Sequence, residues 1–474
     1  MKQDNTIKHE LTNFIDDSLI MKEIAKAENP APSLVREVLN KGMERNGLTP
    51  FEAAVLLKNT DKDLDEAIFE TAMSIKEAIY GNRLVLFAPL YITNECGNQC
   101  EYCGFAVKNR ELKRRTLTSE EIHKEVAVLE DQGHKRLLLV YGEHPKHNAD
   151  WIAQTVRDVY SVTSGKSGEI RRVNINCAPL DVEGFKKIHE VGIGTYQCFQ
   201  ETYHRPTYEK LHTGGKKTDF LWRLHAMHRA MEAGIDDVGI GALFGLYDST
   251  FEVLALLHHS RQLERDHGVG PHTISFPRLE PALGSDIAFN PPHPTSGHEF
   301  KKIVAILRIA VPYTGLILTT RENADFRREL IEVGVSQLSA GSRTYPGAYS
   351  DPEYDRPDVQ QFCIGDSRSL DEIILSIAGD HGYVPSWCTA CYRMGRTGEH
   401  FMELAKNGFI QEFCLPNGLL TFKEYLEDYA SDETKVAGNA LIQREVEAYD
   451  DPKRKKILLD RLKRMEAGER DLYI

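Results

Sequence analysis

Six of the nine cysteines in this 474-residue chain fall into two triplets, Cys96-x3-Cys100-x2-Cys103 and Cys388-x2-Cys391-x22-Cys414. Three soft thiolates grouped in this way suit an iron–sulfur cluster. A four-iron cubane held by three cysteines keeps one iron open, and an open iron binds something other than protein. Two such sites point to chemistry done at two places. Structural zinc fits less well, because it wants four closed ligands. No histidine lies among or directly beside Cys96, Cys100 and Cys103, and His400 is the only imidazole between Cys391 and Cys414. Disulfides are not expected either, since no signal peptide is recognisable and the other cysteines are scattered. Cys177, Cys198 and Cys363 stand alone and are read as buried, inert thiols.

Those ligands need a scaffold. Residues 1–80 carry a helical pattern punctuated by Pro30, Pro32 and Pro50. Thr49-Pro50-Phe51-Glu52 reads as a capped helix start, with the threonine as cap and the proline in the first turn. Beyond it, apolar β-branched runs alternate with amphipathic segments. Strands are expected near Leu84–Thr93, Arg136–Tyr141, Val173–Cys177, Gly194–Gln200, Asp237–Phe244, His272–Arg278, Gly315–Thr320 and Gln337–Ala340. Helices fall between them, for example Thr118–Gln132, Asp219–Ala233 and His298–Val311. Eight alternations predict an α/β fold with a parallel (β/α)8 barrel of the TIM type. It would occupy residues 81–378, between a helical N-terminal extension (1–80) and a C-terminal cluster domain (379–474).

Reactive groups of such a barrel sit at the C-terminal ends of its strands. The first triplet follows the first strand, Gly142 and Glu143 follow the second, and Asn176 ends the third. Glu201 follows the fourth, Gly239 and Gly241 lie in the fifth, and Arg278 ends the sixth. Thr320, Arg321 and Glu322 close the seventh; Ser339, Ser342 and Arg343 end the eighth. Composition limits the partners. Lys plus Arg is 58 against 71 for Asp plus Glu, a formal charge of −13 that argues against nucleic acid. No apolar run approaches a transmembrane span, and with free thiols and no targeting segment the expected location is the cytoplasm.

Several stretches carry a resemblance. The x3-x2 cysteine spacing, with Tyr102 before its last member, resembles the cluster loop of radical S-adenosylmethionine (SAM) enzymes. Tyr141-Gly142-Glu143 resembles the motif whose carboxylate meets the SAM amino group. Arg223, in the helix that leads to Gly234, is similar to the arginine that meets the SAM carboxylate in biotin-synthase-like enzymes. Val238-Gly239-Ile240-Gly241 resembles the segment along adenine. Asn176 and Glu201 are the candidate cofactor contacts of the neighbouring strand ends. From about Leu48 onward the chain resembles the tyrosine lyases of the radical SAM superfamily, through Leu48–Glu52, Leu318–Glu322 and Ser339–Thr344. That group has a thiamine-pathway branch and an [FeFe]-hydrogenase maturase branch. The second triplet resembles the maturase branch, because the thiamine enzymes lack it.

The resemblance implies two 4Fe-4S clusters, the second with or without an extra iron, and SAM as cofactor. It implies that a 5′-deoxyadenosyl radical abstracts hydrogen from the amino group of L-tyrosine, and that Cα–Cβ scission gives p-cresol and dehydroglycine. The fragment would become CO and cyanide at the second cluster. A low-potential donor such as ferredoxin or flavodoxin, and other hydrogenase maturation proteins, would be partners. Thr320 and Arg321 are the expected grip on the tyrosine carboxylate, with Ser339 and Ser342 adding polar contacts. An ion pair with Glu322 is the competing role for Arg321. His272, at the start of the sixth strand, should lie at the bottom face and could hold the labile iron; His267 is its rival. The barrel interior would then be a conduit between the clusters. Two other classes stay open: a lyase for another amino acid such as tryptophan, with the second cluster in electron transfer, and a non-enzymatic iron–sulfur or zinc protein.

Overall fold

The computed structural model describes residues 11–165, 167–351, 356–406 and 408–474. The first ten residues of the expected N-terminal extension therefore lie outside the described part. Eight strands run in parallel around a closed barrel: β1 (Arg83–Thr93), β2 (Arg136–Tyr141), β3 (Arg172–Asn176), β4 (Tyr196–Gln197), β5 (Val238–Gly241), β6 (Thr273–Ser275), β7 (Gly315–Leu318) and β8 (Gln337–Ser339). β8 closes onto β1 through Val85–Gln337, Leu86–Leu338 and Phe87–Ser339. All eight expected strands are present. The fourth to sixth are shorter than the apolar runs suggested, because only isolated bridges such as Glu201–Ala242 and Phe244–Arg278 continue them. Strands covered on both faces read as continuous apolar runs, and β1 is buried along nearly its whole length.

Helices surround the barrel. The expected helix 219–233 is broken in two at His225, into Phe220–Leu224 and Ala226–Glu232. The Thr49 cap forms as read: its hydroxyl accepts the Glu52 N–H at 3.2 Å, and Glu52 accepts the Thr49 N–H at 2.8 Å. Helix Lys62–Tyr80 packs along helix Gly297–Ala310. Arg308 is fully buried and satisfied, donating to the Pro312 and Thr314 carbonyls at 2.7 and 2.9 Å and to Gly334 at 2.8 and 3.0 Å. It fixes the loops that feed β7 and β8, which a buried guanidinium can do only when its donors are matched.

A further strand, β9 (Val384–Ser386), pairs in parallel with Arg83–Val85 at the beginning of β1. It brings the following helices under the N-terminal mouth of the barrel, where Trp387 stacks on Tyr425 with centroids 5.1 Å apart. No helix among the described residues is long and apolar enough to cross a membrane.

Candidate active site

At the C-terminal mouth, loops after the strands enclose a cavity of about 210 Å³. Cys96, Cys100 and Cys103 line it together with Tyr102, Tyr141, Gly142, Glu143, Asn176, Glu201, Arg223, Thr320, Arg321, Ser339 and Ser342. The loop after β1 is tied to the loop after β2. Gly97 N–H donates to the Glu143 carbonyl at 2.7 Å, and Asn98 donates to the Glu143 carboxylate at 2.6 Å. Gly142 is required here, since a Cβ would lie 2.3 Å from the Glu95 carbonyl oxygen. Glu201 sits in the left-handed region (φ 70°) and receives Lys217 Nζ at 2.8 Å. Burial opposes its charge, but Lys217 and Arg223 outweigh burial and hold the carboxyl below its usual range. Arg223 is not a solvated helical arginine: its Nε donates to the Phe199 carbonyl at 2.7 Å and its guanidinium borders the cavity.

Arg321 does not pair with its neighbour. Glu322 is taken by Arg278, whose Nε lies 2.8 Å from it. The Arg321 guanidinium instead lies over the Phe362 ring, 3.4 Å from its centroid, and Arg321 Nε is buried with no hydrogen-bond partner among the described residues. The Ser342 hydroxyl is likewise buried and unpartnered. Both residues line the cavity, so these polar atoms are available to whatever occupies it. Ser339 is fixed through its carbonyl, which accepts Arg327 Nη2 at 2.6 Å; the Thr320 carbonyl accepts Gly365 N–H at 2.8 Å.

Gly239 and Gly241 do not line the cavity. A Cβ at Gly239 would lie 2.5 Å from Thr273 Oγ1, and one at Gly241 would lie 2.5 Å from the Ser275 carbonyl. Their small size serves packing between strands, and Gln197 takes the cavity wall beside them. Cys363 is exposed, not buried, because it leaves the barrel on the loop after β8. Cys177 and Cys198 are buried as expected, and Cys177 reaches the cavity wall. No disulfide forms among the nine cysteines. Sequence reasoning missed Tyr91, Asn98, Lys217, Glu280 and Gln361. Tyr91 donates to Gln361 Oε1 at 2.7 Å, and Gln361 Nε2 approaches Cys103 Sγ at 3.7 Å. Burial and the Glu322 charge push the Glu280 carboxyl up to about 7.

At the opposite mouth, Cys388, Cys391 and Cys414 surround a smaller cavity of about 50 Å³ with His272, Arg83, Arg136 and Tyr392. His272 Nδ1 lies 3.4 Å from Asp237 Oδ1, and its Nε2 lies 3.3 Å from the Tyr392 hydroxyl. Arg136 donates to the Cys388 carbonyl at 2.8 Å, and Arg172 lies 3.0 Å from the centre of the Tyr392 ring. His267 is elsewhere, at the end of helix Ser249–His267 with its ring 5.3 Å from that of His228.

The two cavities share strands. Val85, Arg136, Gly315 and Gln337 line the lower one; Phe87, Leu138, Ile317 and Ser339 line the upper one. Each pair is two residues apart, the repeat of inward-facing positions, which is roughly 6–7 Å along a strand. Phe87, Leu138 and Ile317 pack together as the layer between them.

Both donor sets fit an iron–sulfur cluster. Burial pushes the Cys100 thiol up to about 12 against the pull of Lys217, and Cys103 and Cys96 push it the same way. Burial with Cys414 and Cys388 lifts Cys391 to about 12. Crowded thiols of this kind ionise when a bound cation compensates them. Comparison with known proteins agrees. Residues 90–258 match the radical SAM superfamily model, and residues 275–383 match the biotin and thiamin synthesis associated domain. The chain is 33% identical to the 2-iminoacetate synthase of Salmonella typhimurium, over 70% of this chain and 85% of that one. A crystal structure of HydG, a maturase of the [FeFe]-hydrogenase, superposes with a TM-score of 0.94 at 49% identity, covering 98% of this chain and 100% of that one. HydG of Carboxydothermus hydrogenoformans gives 0.83 at 40% identity, covering 96% and 100%. With the barrel, both cysteine pockets and these likenesses in agreement, the chain belongs to the radical SAM superfamily and, within it, to the HydG family of [FeFe]-hydrogenase maturases.

Proposed function

We propose that the upper cavity cleaves the Cα–Cβ bond of L-tyrosine to p-cresol and dehydroglycine. The fragment then passes to the lower pocket and becomes CO and cyanide for the hydrogenase H-cluster. The observation that carries this reading is the pair of cysteine-lined cavities on the same strands, separated by one layer of side chains. When bound, the first cluster and SAM supply the one-electron chemistry that opens an unreactive bond.

The chain does the rest. Cys96, Cys100 and Cys103 hold the first cluster. Glu143, steadied by Asn98, meets the SAM ammonium, and Arg223 meets its carboxylate. Tyr102, Tyr141, Gly142, Asn176 and Glu201 complete the cofactor's surroundings. Arg321 grips the tyrosine carboxylate through a two-pronged contact that its unmatched Nε leaves open, and Thr320, Ser339 and Ser342 add polar contacts. Phe87, Leu138 and Ile317 keep water from the floor of the cavity.

Below them, Cys388, Cys391 and Cys414 hold the second cluster. His272, with Asp237 3.4 Å from its Nδ1 and the Tyr392 hydroxyl 3.3 Å from its Nε2, is the imidazole that would reach the extra iron. Arg83 and Arg136 offset the negative charge of the thiolates. The likeness to a 2-iminoacetate synthase supports the upper reaction, because 2-iminoacetate is the dehydroglycine fragment. A histidine beside three cysteines favours chemistry over electron transfer alone.

The test is anaerobic reconstitution, then incubation with SAM, a low-potential reductant and tyrosine, with tryptophan as control. The expected products are p-cresol, CO and cyanide from tyrosine alone. Absence of p-cresol overturns the proposal, and p-cresol without CO or cyanide overturns its second half.

A further inference from the structure

We propose that Glu95, His144 and His147 form a third metal site, for a single divalent first-row ion of the zinc or ferrous type, outside both cysteine pockets. The three side chains come from two loops. Glu95 directly precedes the first cysteine of the upper triplet, and the two histidines follow Glu143 in a turn closed by His147 N–H donating to the His144 carbonyl at 2.9 Å. One ligand atom from each lies within 4.8 Å of the others. Donors sharing one tetrahedral ion at bonds of about 2.0–2.2 Å lie roughly 3.3–3.6 Å apart, so these side chains need draw together by only about 1 Å to close on it.

The ordinary explanation is an ion pair between His147 and Glu95, and that pair is a loose one. His147 Nε2 is 3.8 Å from Glu95 Oε2, beyond hydrogen-bonding distance. Its side chain is only 5% exposed, and its Nδ1 is buried with no hydrogen-bond partner among the described residues. His147 is held flat by stacking on Trp151, with centroids 4.3 Å apart, so packing helps to position its ring. The His144 ring faces it at 5.4 Å, and its Nδ1 accepts the Lys146 N–H at 3.3 Å.

Two imidazoles and one carboxylate form the set that binds zinc or ferrous iron with positions left for water. The ion would cross-link the loop carrying Cys96 to the loop carrying Glu143. Those loops are already joined by the Gly97–Glu143 and Asn98–Glu143 hydrogen bonds. The site is therefore a clamp on the cofactor-binding mouth, and its geometry does not depend on which substrate that mouth takes.

The test uses the full chain with both clusters reconstituted, exposed anaerobically to zinc or to ferrous ion and then freed of loose metal. Bound metal is counted by elemental analysis beside cluster iron. The expected result is one extra ion per chain at unchanged cluster content. Anomalous diffraction at the zinc and iron edges should place it between Glu95, His144 and His147 and identify it. His144→Ala with His147→Ala should lower affinity for that ion by about tenfold or more without loss of cluster iron. Glu95→Gln, which keeps the shape of the site, should weaken it in the same direction. An extra ion retained equally by all variants, zinc entering only at the expense of cluster iron, or no retention by the wild-type holoenzyme would each overturn the proposal. If the variants fail to fold, the anomalous map of the wild-type protein decides alone.

Discussion

Each of the two cysteine pockets gathers three thiols, but in unlike surroundings. The upper cavity, at about 210 Å³, mixes Glu143 and Glu201 with Lys217, Arg223 and Arg321, and its walls come from the barrel strands and the segments that follow them. The lower cavity, at about 50 Å³, is bordered by Arg83 and Arg136 and by a single imidazole, with its cysteines brought in by β9 and the helices after it. Room and charge therefore separate the tasks. The upper site offers charges of both signs to a zwitterion; the lower one offers cationic side chains and an imidazole beside its thiols. A barrel whose inward side chains alternate every two residues lets both sites share strands with one layer between them.

The comparison can be broken most sharply at the top. Cys100→Ala should lower 5′-deoxyadenosine and p-cresol by on the order of a hundredfold or more, since three-thiolate sites do not tolerate loss of a ligand. The iron of the lower site should stay. Near-native SAM cleavage would disprove the assignment of the first triplet.

Next in size is the substrate grip. Arg321→Lys keeps the charge but removes the planar fork, and one charged hydrogen bond corresponds to about 10- to 100-fold in affinity. The apparent tyrosine affinity should fall by that factor, while SAM cleavage without tyrosine changes little. An unaltered KM for tyrosine would remove Arg321 from this role.

At the bottom, His272→Ala should reduce CO formation by about tenfold and leave p-cresol intact, because the thiolates still hold the cubane while the extra iron loses a ligand. The electron paramagnetic resonance signal of the second cluster should shift. Native CO yield with an unchanged signal would leave the extra iron without a protein imidazole.

A residue outside both pockets supplies the smallest effect. Glu252 accepts the Tyr203 N–H at 2.9 Å and the Thr202 hydroxyl, and burial lifts its carboxyl from 4.5 to about 8. The folded state thus binds more protons than the unfolded state between those values, so this group's stabilisation declines as pH rises from about 4.5 to about 8 and levels off above. Glu252→Gln resembles the protonated form. Its melting temperature relative to wild type should climb by a few degrees across that window. A pH-independent difference would show that Glu252 is already charged.

Much of this was legible in the residues. The cysteine triplets, Glu143, Arg223 and Arg321 carry distinctive chemistry at strand ends, and His272 could be placed at the bottom because it precedes β6. Tyr91 could have been found from the inward alternation along β1 (Val85, Phe87, Pro89), a signal hidden by the all-apolar reading of a doubly buried strand. Gln361, Asn98 and Lys217 could not, since they reach the cavity from irregular loops whose course is set by tertiary contacts. Gly239 and Gly241 are ambiguous for a physical reason: a glycine admitting a ligand and a glycine admitting a neighbouring strand look alike in sequence. Cys363 misled because burial of a lone cysteine depends on where a loop leaves the barrel.

The central claim is that the two pockets act in series, and the most direct measurement follows both products in one reaction. Cys388 and Cys391 are changed together to Ser, the upper cluster is reconstituted, and p-cresol and CO are quantified against wild type. The expected result is p-cresol within about twofold of wild type, a change below about 0.5 kcal/mol in the barrier, with CO falling to background. Equal loss of both products would contradict it and make the C-terminal helices a structural support for the upper site.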